Sequence, residues 1–173
     1  MSSNDTVPSI VNGKDVHFDK TFPVYAPSTG SKLYDCSSAS VSDAISAIDS
    51  AEEAFKTWKN VKPAAKRAIF LKAADILEAQ AEELGKYFED EAGAPPPWAA
   101  GFNVPLSVDG LRDVAGRIAT IQGSIPVAGA EGTSALVLKE PFGVCLGIAP
   151  WYVYACFDAL INCSIRCEYW AQC

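Results

Sequence analysis

Positive charge is in short supply in this 173-residue chain: fourteen Lys and Arg stand against twenty-one Asp and Glu, for a net charge of -7. Phosphate backbones are held by clustered Lys and Arg that release counterions, so the deficit excludes nucleic acid as an expected partner. Histidine is scarcer still. His17 is the only one, it lies in an early strand region with no second ligand nearby, and a surface or hairpin role is expected for it in place of a catalytic base. Long apolar runs are missing as well. The longest uncharged stretch, Pro141 to Phe157, falls short of the ~20 apolar residues a membrane helix needs and contains Pro150, so no membrane contact is expected. Met1 to Ile10 is polar, with neither a basic start nor an apolar core, so no signal peptide is read and the expected address is cytoplasmic. Finally there is no G-x-G-x-x-G phosphate turn; Gly143 and Gly147 flank a strand pattern and read as packing glycines.

Cysteine is present but unevenly placed. Cys36 and Cys145 are the only two up to residue 151, whereas Cys156, Cys163, Cys167 and Cys173 all fall in the last 22 residues. Without a secretory context reduced thiols are the expectation. The C-x6-C-x3-C-x5-C spacing lacks the close C-x2-C knuckles of structural zinc, so no metal site is assigned. "CSIRC" sets Cys163 and Cys167 four residues apart with Arg166 nearby to lower a thiol pKa, but a nucleophile also needs a base and an oxyanion site, and none is visible. No catalytic residue is assigned.

The body of the chain reads as strands followed by helices. Thr6 to Ser38 consists of short extended runs, with Asn12-Gly13 suited to a hairpin turn and "PSTG", Pro27 to Gly30, a second turn between Phe22 to Tyr25 and Lys32 to Cys36. Ser40 is a helix N-cap with Asp43 placed for a capping box. Val41, Ala44, Ile45, Ile48, Ala51 and Phe55 follow at helical spacing, predicting an inward stripe with Asp43, Asp49, Glu52 and Lys56 outward. A second helix starts at Pro63 and continues, broken or unbroken, to a left-handed cap at Gly93. "APPPW", Ala94 to Trp98, breaks it. A further helix spans Leu106 to Ile121, a glycine-rich loop Gly123 to Gly132 follows, and "SALVLKEPFGVCLGIAPW" predicts an alternating strand, a link at Pro141 and a nearly continuous apolar strand from Gly143 to Ala149.

"AFKTW" at Ala54 to Trp58, "ADILE" at Ala74 to Glu78, "EAGAPPPWA" and above all "EPFGVCLGIAPW" together resemble the amino-terminal portion of the NAD(P)-dependent aldehyde dehydrogenase superfamily, nearest its aryl and salicylaldehyde type. The resemblance runs from about Val7 to Trp151 and ends abruptly there. It implies an α/β family fragment: helices plus β-hairpins and the first strand of a Rossmann-like cofactor domain, with the sheet incomplete. It also implies that Ile148, Ala149, Pro150 and Trp151 lie along a nicotinamide dinucleotide, NAD or NADP, at the carboxyl edge of that strand. The family's next residue is an Asn that stabilises the oxyanion formed when a cysteine attacks the aldehyde; here Tyr152 stands in its place.

Three segments are expected: a disordered tail at 1–6, the family's amino-terminal part with one strand of its oligomerisation arm at 7–151, and an aberrant Cys- and aromatic-rich tail at 152–173. The family reaction is oxidation of an aldehyde, here an aromatic one, to a carboxylic acid through a cysteine thiohemiacetal. The cofactor turn, general-base glutamate and nucleophilic cysteine of the family are not found in this sequence, which predicts a truncated, inactive form that does not bind the cofactor by itself. "ELGK", Glu83 to Lys86, superficially matches the base motif but lacks its second glycine and reads as an exposed helix face. The alternative is a non-enzymatic interaction or oligomerisation module, in which the Ala135 to Glu140 strand pairs with another chain, a second copy included, through its open edge.

Overall fold

The computed structural model describes residues 6–147. They divide into two compact units: residues up to Asn60 together with Gln80–Pro105, and Val61–Ala79 together with the residues from Leu106 onward.

The first unit begins with strands β1 (Thr6–Val7), β2 (Ser9–Val11), β3 (Lys14–Val16), β4 (Lys20–Tyr25) and β5 (Lys32–Ser38). Thr6, at the end of the polar tail expected over 1–6, is already paired with Asp35. β2 and β3 form an antiparallel hairpin across Asn12 and Gly13, whose φ angles of 53° and 70° are the two positive values that a tight hairpin turn demands. The other three strands form a sheet in the order β1-β5-β4, with β1 parallel and β4 antiparallel to the central strand. Pro23 is tolerated because β4 is an edge strand and its missing N–H costs no ladder bond on the outer side. The Pro27–Gly30 turn closes as expected: the Gly30 N–H donates to the Ala26 carbonyl at 2.7 Å with Gly30 at φ 69°.

Helix α1 (Val41–Trp58) is capped by a reciprocal box, the Asp43 N–H donating to Ser40 Oγ at 3.3 Å and the Ser40 N–H to Asp43 Oδ2 at 2.9 Å. Its apolar stripe departs from expectation. No α1 residue is buried, and Val41, Ile45 and Ile48 are 79%, 53% and 57% exposed. The half-buried positions of α1 are Asp43, Ala47, Ser50, Ala51, Phe55 and Trp58, so only Ala51 and Phe55 of the expected stripe are partly covered. Periodicity identifies an apolar face but not what covers it. Helix α3 (Ala81–Ala92) ends on Gly93 in the left-handed conformation, with the Gly93 and Ala94 N–H groups donating to the carbonyls of Glu89 and Phe88. Val24, Ala26, Tyr34, Phe88, Ala99 and Val104 form the buried set of this unit.

In the second unit α2 (Pro63–Ala79) opens on Pro63 as predicted. The chain leaves the helical path at Gln80 (φ -102°, ψ 13°), so α2 and α3 are separate helices. Helix α5 (Val104–Arg117) belongs to this unit from Leu106 on and supplies Val108, Leu111, Val114 and Ala115 to the core, joined by Ala74 and Ile118. Arg112 is held at the surface by Glu78 at 2.6 Å and Asp75 at 3.4 Å. Beyond Thr120 the extended segment makes one antiparallel bridge, Ser124 to Val137. Gly123 is required there, since a Cβ would sit 2.4 Å from the Val137 carbonyl oxygen. Neither Ala135 to Glu140 nor the described part of Gly143 to Ala149 forms a strand. A strand gains its order from a paired neighbouring strand, and among the described residues the one β-bridge in these segments is Ser124–Val137. Ile148 and Ala149, and the tail expected at 152–173, lie outside the described residues.

Candidate functional site

All four residues expected along a dinucleotide, Ile148, Ala149, Pro150 and Trp151, lie outside the described residues. The approach to them is described as far as Gly147: Gly143 takes φ 110°, a value that excludes side chains, and the half-buried Cys145 thiol lies 3.9 Å from the Gly143 carbonyl. That turn is not followed by a helix whose N-terminus could face a phosphate within the described residues, so the described residues do not by themselves form a nucleotide cradle.

A different feature stands out in the first unit, and it starts from proline. Gly93 ends α3, Pro95 holds the chain extended (φ -61°, ψ 144°), and Pro96 at a first-turn position starts the short helical turn α4 (Pro96–Trp98). The three-proline segment thus breaks the helix, as its sequence dictates, but re-enters helical geometry sooner than expected. The chain next widens into a π-helical turn, Ala99–Asn103, before α5. The extra residue in such a turn displaces side chains from ordinary helical register, and these turns concentrate at functional sites. Asn103 Nδ2 donates to the Trp98 carbonyl at 3.2 Å, tying the two ends of the wide turn together. Gly85 of α3 lets the turn pack close: a Cβ there would lie 2.7 Å from the Cβ of Ala100.

This arrangement stacks two aromatic rings at the surface. The Trp98 and Phe102 ring centroids are 4.5 Å apart with an interplanar angle of 25°, and the side chains remain 55% and 45% exposed. Large exposed rings held by a rigid turn offer a flat apolar face on which another ring can stack, an interaction of about 0.5–1.5 kcal/mol per pair. α4 and the π turn carry no ionisable side chain, so the platform can bind and orient but cannot transfer protons. In the sequence "APPPW" reads as a helix breaker and "EAGAPPPWA" as part of the family resemblance; the available signal for the stack was Phe102, four residues after Trp98.

The remaining candidates are dispersed. Within "ELGK", Glu83 and Lys86 are exposed while Gly85 is buried, so the motif serves helix packing and presents no base to a cleft. Cys36 is half-buried in β5, and burial followed by the Asp35 charge pushes its thiol up, which suppresses thiolate and nucleophilicity. Tyr34 of β5 donates its hydroxyl to Glu91 Oε1 near the end of α3. Burial raises the Glu91 carboxyl to about 7 and the Tyr34 phenol to about 12. Sequence spacing could not foresee that pair, whose members are 57 residues apart. Among the described residues no helix is long and apolar enough to cross a membrane.

A profile described as the aldehyde dehydrogenase family matches residues 14–155. A salicylaldehyde dehydrogenase of Pseudomonas putida is 40% identical over 133 residues, covering 76% of this chain and 27% of that protein. A vanillin dehydrogenase of Pseudomonas sp. (strain HR199) is 37% identical over 147 residues, covering 84% and 30% respectively. Among solved structures, the salicylaldehyde dehydrogenase of Pseudomonas putida G7 complexed with salicylaldehyde superposes with a TM-score of 0.73 at 33% identity, over 79% of this chain and 28% of that one. The indole-3-acetaldehyde dehydrogenase of P. syringae in complex with NAD+ superposes with a TM-score of 0.80 at 26% identity, over 90% and 33%. The chain therefore spans less than a third of the length of the curated relatives it matches.

Proposed function

This chain belongs to the aldehyde dehydrogenase family, and from that premise we propose that it is the amino-terminal part of an enzyme that oxidises aromatic aldehydes to carboxylic acids with NAD or NADP. The observation that carries the substrate class is the exposed Trp98–Phe102 stack, which offers a ring-shaped face in a chain whose relatives include salicylaldehyde and vanillin dehydrogenases. In the family reaction a bound NAD or NADP would supply the hydride acceptor for oxidation of the aldehyde. In this proposal the chain contributes surfaces to that chemistry: Ile148, Ala149, Pro150 and Trp151 line the dinucleotide, and Trp98 with Phe102 orients the aromatic ring. Tyr152, in the position of the oxyanion-binding Asn, is larger and cannot reproduce the amide donor. The 173-residue form is proposed to be inactive, because nucleophile, general base and nucleotide cradle are not assembled within it. A cytoplasmic address is part of the same proposal.

A segment exchange tests it. Residues 14–147 are substituted for the matching segment of the Pseudomonas putida salicylaldehyde dehydrogenase, and NAD binding and thermal unfolding verify the product's integrity. Oxidation of salicylaldehyde in preference to an aliphatic aldehyde is expected, with Trp98→Ala and Phe102→Ala raising KM for the aromatic substrate alone. A folded, cofactor-binding exchange product indifferent to both substitutions would refute the role given to the stack.

A second reading has its own support. Leu136 and Leu138 are 66% and 69% exposed on a segment that makes a single bridge, and an apolar edge of this kind invites pairing with a second copy. Sedimentation of the purified chain would detect that association, and Leu136→Lys with Leu138→Lys would abolish it.

A further inference from the structure

The β2–β3 hairpin has no part in the aldehyde reading, and its turn holds two residues with chemistry of their own. Asn12 and Gly13 are both exposed. Asn12 is the only residue other than glycine with a positive φ among the described residues, and a Cβ added at Gly13 would meet nothing within 4 Å. Nothing crowds the turn, and little holds it shut. β2 and β3 form a two-stranded sheet of their own from three residue pairs, and neither strand contributes a buried residue. A hairpin of this kind is marginal in water and opens at low free energy. The other two described asparagines are placed differently. Asn60 Nδ2 donates to the Lys56 carbonyl and Asn103 Nδ2 to the Trp98 carbonyl, both at 3.2 Å, and each residue is followed by a valine.

We propose that Asn12 is a site of spontaneous deamidation, reached when the β2–β3 hairpin opens. In the opened turn the Gly13 amide nitrogen attacks Asn12 Cγ: the N–Cγ bond forms, the Cγ–Nδ2 bond breaks, and the Gly13 proton leaves with Nδ2 as ammonia. Water then adds to either carbonyl of the five-membered imide and breaks its bond to nitrogen, leaving aspartate or a β-linked aspartate. One water enters, one ammonia leaves, and nothing is oxidised or reduced. Glycine permits the attack because no side chain crowds its nitrogen, whereas Val61 and Val104 branch beside theirs. The β-linked product adds a carbon to the main chain between Val11 and Lys14, so the two-residue turn that sets their pairing is lost and the opening becomes permanent.

Peptide mass spectrometry on the full chain reads the conversion during incubation at mildly alkaline pH, both folded and in guanidinium chloride, with electron-transfer fragmentation separating the two products. Folding is expected to slow conversion at Asn12 by about three- to tenfold, since only the hairpin must open, and to leave it at least about tenfold ahead of Asn60 and Asn103. Gly13→Ala should slow it by about tenfold in denaturant, where the chemistry is read apart from any effect on folding. Val16→Gly, which weakens the Ser9–Val16 pair, should bring the folded rate up to the unfolded one and leave the unfolded rate unchanged. A folded rate at Asn12 no greater than at Asn60 and Asn103 would overturn the proposal. So would slowing by folding beyond about a hundredfold, or a Gly13→Ala chain that converts as fast as the parent in denaturant.

Discussion

Replacing Gly85 by alanine sets two magnitudes against each other at one position. Gly85 lies inside α3, where glycine normally costs about 0.5–1 kcal/mol relative to alanine through its extra unfolded-state freedom, so propensity predicts stabilisation. Packing predicts the reverse. The new methyl would lie 2.7 Å from the Ala100 Cβ and 3.3 Å from its Cα and N, against an ordinary carbon contact near ~3.5–4.0 Å. An alanine Cβ has no torsion with which to move aside, so the π turn itself must retreat by close to ~1 Å. Overpacking of this kind costs about 1–3 kcal/mol. Packing therefore wins, with a net loss of about 1 kcal/mol. Urea unfolding measures that loss, and the indole N–H resonance of Trp98 reports the displacement of the turn. In a double-mutant cycle A100G should relieve G85A, giving a favourable coupling between the two sites. A G85A chain more stable than the parent by the propensity figure, with the Trp98 resonance unmoved, would refute the close approach of the turn to α3.

Two further outcomes follow from the burial pattern. Phe88, 1% exposed in the first unit, should cost about 3–5 kcal/mol when cut to alanine, a loss that calorimetry reads as a lowered unfolding temperature. Glu91 has its folded pKa raised from 4.5 to about 7, so its contribution is fully present below the unfolded value and is lost as pH rises through the folded one. Partial exposure roughly halves the full linkage figure, leaving about 1–2 kcal/mol of stability lost between pH 5 and 8. Denaturant midpoints at the two pH values should differ accordingly in the native chain and coincide in Glu91→Gln.

Features determined by neighbours in sequence were legible from the sequence. Asn12-Gly13, the Ser40–Asp43 box, Pro63 and Gly93 each fix φ or satisfy an end group within four residues, and each is found where local chemistry puts it. Features that depend on distant partners were not. The stripe of Val41, Ile45 and Ile48 has the correct period, yet period does not reveal whether anything packs on it. Gly143 to Gly147 has the composition of a doubly covered strand, but a strand is made by its neighbours, which the described residues do not supply. The π turn escaped because one inserted residue breaks the 3.6 period that reveals helices, and the Trp98–Phe102 stack is visible only once that turn is known. As for the dinucleotide residues, Ile148 to Trp151 stand on resemblance, and their placement lies outside the described residues.

The proposed division of labour is that this chain supplies surfaces to an aldehyde dehydrogenase reaction and does not by itself assemble the nucleophile, base and coenzyme cradle. Absorbance of the reduced nicotinamide, followed with purified chain, NAD or NADP and salicylaldehyde, tests that division most directly. No reduction above the protein-free rate is expected, with or without the thiols of Cys156, Cys163, Cys167 and Cys173 blocked. Sustained turnover lost on substituting any one of those cysteines would contradict it.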